Sequence, residues 1–175
     1  MIAARPAILI TATAALTACQ QSDPTPRETG AAASTTSGAD ATTATTPAHL
    51  TLAAVEAADV AIIADSMDNL GGCEFVGEGR RTLLSVGLPD SAGAKGFGVA
   101  RAGGVVVQAQ TDEAGRAAIE AGPKLAFEGI VIAVAHGGGT GEKVGTETSA
   151  WPGTLTVSDS DGKSRTYPGR WACGV

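Results

Sequence analysis

The sequence predicts a mainly β fold, either a small antiparallel β-sandwich or a β-barrel with one or two short helices; an α+β arrangement is the alternative. Short apolar runs alternate with Gly, Asp and Pro residues, a pattern typical of strands and turns. A parallel α/β fold needs repeated helical segments, and only one clear short candidate is present. The 24 glycines predict tight turns and bulges rather than one ideal sheet.

The first element after residue 49 is ambiguous. Leu52, Val55 and Ile62 fit one face of a helix, whereas Val60 to Ile63 fit a short strand. The pattern therefore allows a helix that runs into a strand.

Most later elements are predicted as short strands joined by turns. The strands are expected at residues 73–76, 82–86, 96–100, 105–111, 125–128, 130–135, 154–158, 164–167 and 171–173. Gly103-Gly104 and the run from Asp159 to Gly162 are typical hairpin turns. Asp112 is the expected N-cap of a short helix over residues 114–121, which Gly122-Pro123 would end.

The N-terminus has the parts of an export signal. Arg5 precedes an apolar run from Ala7 to Leu16, which is too short to span a bilayer. The run ends in Leu16-Thr17-Ala18-Cys19, which resembles the signal of bacterial lipoproteins. The alternative is an ordinary secretory signal that leaves Cys19 as a free thiol.

The resemblance implies cleavage between Ala18 and Cys19 by the lipoprotein processing machinery, followed by attachment of fatty acyl chains to Cys19. Two or more acyl chains give stable membrane anchoring. In the family's sorting pattern, Gln20 favours the outer membrane, because Asp at that place favours retention in the inner membrane. We therefore expect a cell-envelope protein on either face of the outer membrane.

Composition divides the chain into a signal peptide (1–18), lipidated Cys19 with a linker (19–48) and one globular domain (49–175). The linker consists mainly of Ala, Thr, Ser and Pro, which bury too little apolar surface to order a chain. Removal of residues 1–18 leaves 11 basic and 18 acidic residues, a net charge of −7. This acidity, with few aromatics, argues against nucleic-acid binding.

Two cysteines remain after Cys19. Cys73 and Cys173 are expected to form a disulfide, since the envelope is oxidising and they have only one intramolecular pairing. A metal site or a reactive thiol pair is disfavoured, because the chain lacks a CxxC motif and holds only His49 and His136 as histidines. No metal and no cofactor is predicted.

Chemical motifs are incomplete wherever they occur. His136-Gly137-Gly138-Gly139 resembles the oxyanion element of esterases, but no Gly-x-Ser-x-Gly nucleophile motif accompanies it. Gly162-Lys163-Ser164 lacks the earlier glycine of a phosphate-binding loop. Asp159 with Asp161 lacks the other ligands of a calcium loop, and Asp65 with Asp68 lacks a group that would separate two pKa values. We predict no catalytic residue.

Three aromatic residues lie in the last part of the chain. Trp151, Tyr167 and Trp171 either stack on a ligand such as a glycan or fill the core of a domain poor in aromatics; burial is favoured. The surrounding segments, residues 149–157 and 164–168, loosely resemble uncharacterised proteobacterial β-rich lipoproteins, a likeness that implies no reaction.

The leading functional hypothesis is a non-catalytic binding or envelope-support domain, whose partner would be an envelope protein or glycan. The alternatives are an inhibitor of a host cell-wall hydrolase such as lysozyme, suited by the acidic charge, and an envelope enzyme that would need His136.

Overall fold

The computed structural model describes residues 47–67 and 71–174. The predicted signal peptide (1–18), Cys19 and all but the last two residues of the predicted linker (19–48) lie outside this part. The described strands are β1 (Leu52–Ala53), β2 (Gly72–Gly77), β3 (Thr82–Gly87), β4 (Lys95–Ala102), β5 (Val105–Ala114), β6 (Lys124–Phe127), β7 (Ile130–His136), β8 (Glu142–Lys143), β9 (Ser149–Asp159) and β10 (Ser164–Gly174). The helices are α1 (Ala57–Ser66) and α2 (Arg116–Glu120), with 3-10 turns at Ala48–Leu50 and Glu78–Arg80.

Eight of these strands close into an antiparallel barrel, which confirms the predicted fold class. Their order is β4-β3-β2-β10-β9-β7-β6-β5, and β5 pairs back with β4. The two-residue strands β1 and β8 add to β4 and β9. Every pairing between the described strands is antiparallel. Since successive side chains of a strand point to opposite faces, alternate residues face the interior and supply a common apolar core.

The interior is filled by side chains. Phe75, Leu155 and Trp171 are fully buried, and a cavity between Leu84, Leu125 and Ile132 measures only ≈ 10 Å³. Such a volume holds about one water molecule at most. Gly98 shows how tightly the wall is packed, since a Cβ at this position would collide with the side chain of Leu125.

The two ends of the barrel are covered by different parts of the chain. At the N-terminal end, the segment from Ala48 to Leu52 crosses the opening and buries Leu50 completely. At the other end, called here the α2 end, helix α2 covers the opening and buries Ile119.

Helix α1 packs against the outside of β3 and β4. It begins at a capping box, in which the backbone N–H of Glu56 donates to the carboxylate of Asp59 at 2.8 Å. Arg101 on β4 donates to both oxygens of Asp59, at 2.6 and 3.0 Å. These hydrogen bonds hold the pKa of Asp59 below its ordinary value and raise that of Arg101.

Two local predictions are wrong. Asp112 is not an N-cap, because β5 continues to Ala114 and the helix starts after Gly115, whose φ of 89° suits glycine; Asp112 instead pairs with Lys124 at 3.4 Å. Residues 52–64 do not run from helix to strand: the strand Leu52–Ala53 comes first and α1 follows.

The last strands are longer than predicted, because the segments predicted at 164–167 and 171–173 are one strand. β10 continues through Pro168, and β9 through Pro152. Each proline lies one position beyond the end of a neighbouring strand: β2 ends opposite Gly169, and β7 ends opposite Gly153. Proline has no backbone N–H to donate, and it is tolerated at these positions because the neighbouring strand that would accept the hydrogen bond has already ended.

Candidate binding surface

The structure brings the two domain cysteines together. Cys73 on β2 lies directly opposite Cys173 on β10, and their Sγ atoms are 2.09 Å apart. This agrees with the predicted pairing. The bond links positions 100 residues apart at the α2 end of the barrel, next to buried Phe75 and Trp171. Its location within the core assigns it a structural role.

His136 is engaged in holding the α2 end. Its Nδ1 lies 2.7 Å from the carbonyl oxygen of Gly137, and its Nε2 lies 2.8 Å from that of Glu120. Carbonyl oxygens only accept, so each ring nitrogen of His136 faces a backbone acceptor rather than a nucleophilic side chain. This arrangement favours the loop interpretation of the His-Gly-Gly-Gly segment over an esterase element.

The three aromatic residues are not gathered into one site. Trp171 is fully buried and donates from its indole N–H to the carbonyl oxygen of Glu120 at 3.2 Å, so it offers no ring face to a ligand. Trp151 lies directly across from it on β9, half-buried, with its N–H donating to Gly139. Tyr167 lies near the opposite end of β10, beneath the N-terminal segment.

The hydroxyl of Tyr167 bridges that segment. It accepts from the backbone N–H of Leu52 at 2.7 Å and donates to the carbonyl oxygen of Leu50 at 2.9 Å. The guanidinium of Arg165 lies 5.2 Å from the centre of the tyrosine ring and donates to the hydroxyl of Thr51. The hydroxyl of Tyr167 is therefore used to hold the N-terminal segment to the barrel.

Asp159 organises the β9–β10 turn. Its Oδ1 accepts from the backbone N–H of Asp161 and of Lys163, and its Oδ2 lies 3.0 Å from Nε2 of His49. Burial raises the pKa of Asp159, but the hydrogen bonds from His49 and from the two amides outweigh it, and the net shift is downward. Both oxygens are engaged, which suits a hairpin turn better than a calcium loop. Gly162, at φ 78°, lies in the same turn.

Asp65 lies exposed on α1, and its suggested partner Asp68 lies outside the described residues. In residues 47–67 and 71–174, no three metal-ligating side chains are grouped closely enough to hold an ion.

The outer face of β2 and β10 carries a concave surface, which we call the β2–β10 trough. It consists of two adjoining grooves of ≈ 480 and ≈ 550 Å³, which share Ala172. Volumes of this order are typical of ligand sites, although both grooves lie open to solvent. The first groove is bordered by Val60 and Ile63 of α1, and the second by Arg80 and Val144.

The second groove has an apolar floor and a charged edge, whereas the first groove is also lined by Glu74 and Ser85. Val76, Pro168 and Ala172 line the floor, and Val144 at the rim is 49% exposed. Arg170 forms an ion pair with Glu142 at the same edge. Such a mixture of apolar centre and polar rim is typical of protein-binding surfaces.

Sequence reasoning did not identify the trough. Val76 and Ala172 fall in predicted strands and Pro168 lies between two of them, and none of these residue types carries a chemical signature by itself. One signal could have indicated a contact surface: position 172 faces outward on a strand, where a polar residue is usual, but it is an alanine.

No helix in the described part of the chain has both the length and the apolarity needed to cross a membrane.

Comparison of the chain with protein-family models, with curated proteins and with solved structures finds no match.

Proposed function

We propose that this chain is a lipid-anchored protein of the bacterial cell envelope, held at the outer membrane through Cys19, whose barrel binds a partner protein without catalysis. The observation that carries the binding role is the filled interior: a ≈ 10 Å³ cavity with both ends covered leaves only the outer surface for recognition. The anchor rests on the resemblance of Leu16-Thr17-Ala18-Cys19 to lipoprotein signals.

The β2–β10 trough is the proposed contact surface. Its lining is aliphatic, small and charged rather than aromatic, which suits a protein surface better than the ring faces of a glycan. The engagement of His136 with two carbonyl oxygens supports a non-catalytic role.

Two measurements test this proposal. Intact mass of the protein from native membranes should show loss of residues 1–18 and an acyl addition at Cys19; a soluble unlipidated chain would overturn the anchor. A photo-crosslinking amino acid at Ala172 should capture one envelope protein, and excess unlabelled mature chain should compete with the capture.

Ala126 on β6 provides the matched control, since it is an alanine on an exposed part of the barrel wall remote from the trough. Equal capture from residues 126 and 172 would contradict a role for the trough. Turnover of an envelope substrate by the purified mature chain would contradict the non-catalytic role.

A second candidate is inhibition of a basic cell-wall hydrolase such as lysozyme. The mature net charge of −7 favours association with a cationic enzyme. Saturating mature chain should then abolish lysozyme activity in a salt-dependent manner, and undiminished activity would eliminate this candidate.

A further inference from the structure

The first groove of the trough holds a carboxylate without a counter-charge. Glu74 lies in the middle of β2 and faces outward, since its neighbours Cys73 and Phe75 belong to the core. It is exposed, and it is the only charged one among the described residues that line this groove. The ion pairs between described residues all involve other side chains. The negative charge of Glu74 is therefore not balanced within the part of the chain that the structure describes.

A hydroxyl group beside this carboxylate is a second indication of a ligand. Ser85 on β3 lies directly opposite Glu74, lines the same groove and is only 5% exposed. Within residues 47–67 and 71–174, the hydrogen bonds made by hydroxyl groups all involve side chains other than Ser85. Buried hydroxyl groups are nearly always hydrogen-bonded. An unpartnered hydroxyl at the floor of a groove thus indicates that the groove receives a polar group from outside.

Glycine keeps the floor of the groove low next to these two residues. Gly72 pairs with Gly87 on one side and with Gly174 on the other, and all three line the groove. Glycine inside a strand often marks a place where a ligand or another chain approaches the backbone closely. A side chain of a partner can therefore reach the surface of the sheet beside Glu74.

The wall of the groove is aliphatic. Helix α1 contributes Val60, Ile63 and Ala64. Basic side chains pack their methylene stems on such surfaces and keep the charged end at a polar group. Thr82 donates to one oxygen of Glu74 at 3.3 Å, which leaves the other oxygen for a single donor. This favours the compact ammonium of lysine over the two-pronged guanidinium of arginine.

We propose that the first groove is a pocket for a lysine side chain of the partner protein, with the ammonium at Glu74 and Ser85 and the stem along α1. This inference rests on the proposed function, because it names the chemistry of the partner that the trough would bind. The mature net charge of −7 favours the approach of a basic protein. The second groove adjoins the first at Ala172, so the chain next to the lysine has an apolar surface to cover.

Two capped pentapeptides test the pocket. Both have alanine at four positions, and the central residue is lysine in one and norleucine, which keeps the stem without the charge, in the other. In NMR titrations of the mature chain (residues 19–175 with Cys19→Ser), the lysine peptide should shift the amide signals of Gly72, Glu74 and Ser85. It should bind about fivefold more tightly than the norleucine peptide, the upper range for a partly exposed ion pair. Glu74→Gln should abolish this preference.

Glu113→Gln is the matched control. Glu113 is an exposed glutamate on β5, a strand that is not part of the trough, and it too is absent from the ion pairs between described residues. Its substitution removes the same charge and should leave the preference for lysine unchanged. An equal loss in both variants would assign the effect to net charge and overturn the pocket. Equal binding of the two peptides to the unsubstituted chain would overturn it as well.

A capture experiment separates this inference from the proposed function. Glu74→Gln, introduced into the chain with the photo-crosslinking residue at position 172, should reduce capture of the envelope protein about fivefold. Undiminished capture would overturn the lysine pocket and leave the trough as the contact surface. A preference for the lysine peptide in a chain that captures no envelope protein would support the pocket and overturn the proposed function.

Discussion

The two ends of the barrel are closed by different means. The N-terminal end depends on contacts between residues far apart in sequence, since the hydroxyl of Tyr167 bonds the carbonyl of Leu50, 117 positions away. The α2 end is closed by an insertion between neighbouring strands, with Glu120 bonded to His136, 16 positions away. One end is thus a docked terminal segment, and the other belongs to the wall of the barrel.

This difference predicts unequal stability. Terminal segments open locally at low free energy, whereas elements packed into the core open only with global unfolding. Substitutions at the α2 end should therefore lower the stability of the whole domain, and those at the N-terminal end should first release residues 48–52.

The largest effect is expected at Trp171. Trp171→Ala removes a fully buried ring and its hydrogen bond to Glu120, and should lower the free energy of unfolding by about 3–5 kcal/mol. Chemical denaturation measures this loss. Trp151→Ala, which truncates the half-buried ring opposite, should cost clearly less; equal costs would contradict the assignment of Trp171 to the core.

Loss of the disulfide should rank second. Replacing Cys73 and Cys173 together by Ala opens a link of sequence separation 100 and should destabilise the domain by about 2–4 kcal/mol. Denaturation of the wild type with and without reductant, compared with the double variant, gives the value. Wild-type stability that is insensitive to reduction would argue against a structural bond.

Tyr167→Phe should weaken the N-terminal end alone. It leaves a backbone N–H and a carbonyl without their partner, at a cost of about 1–3 kcal/mol. Hydrogen exchange should accelerate at Leu50 and Leu52 with little change at Ile119. Uniform acceleration at both ends would show that the two closures are a single cooperative unit.

The smallest expected effect is a pH dependence at the N-terminal end. Asp159 has a lowered pKa in the folded state, so its contribution to stability is present above its unfolded pKa and is lost as pH falls through the folded value. Below about pH 4, the protection of the amides of residues 48–52, relative to their exchange in the unfolded chain, should therefore fall. Asp159→Asn should remove most of this pH dependence, and an unchanged profile would count against the role of the carboxylate.

Much of the barrel could be predicted because its signals are local. Gly103-Gly104 and the Asp159 turn were identifiable from residue types that adopt positive φ or bond their own backbone. The prediction of Asp112 as an N-cap was wrong because aspartate also suits the end of a strand when it can pair with a lysine, here Lys124, on the neighbouring strand. The predicted strands stopped short of Pro152 and Pro168, whereas β9 and β10 continue through them. A strand accepts a proline where its neighbour has ended, and the sequence alone does not reveal which strand is the neighbour.

The trough and the ends could not be predicted for the same reason. They depend on which strands become neighbours, and the pairs β2–β10 and β7–β9 join distant parts of the chain. The engagement of His136 with the carbonyl of Glu120 likewise exists only once α2 has docked.

The central claim is that the interior is closed to ligands and that recognition occurs on the outer surface. Trp151→Phe leaves Trp171 as the sole tryptophan, a reporter fully buried within the barrel. Titration with a brominated fatty acid should leave its fluorescence unchanged, because the quencher cannot reach the ring. Saturable one-to-one quenching would show that the barrel accommodates a ligand and would contradict the account.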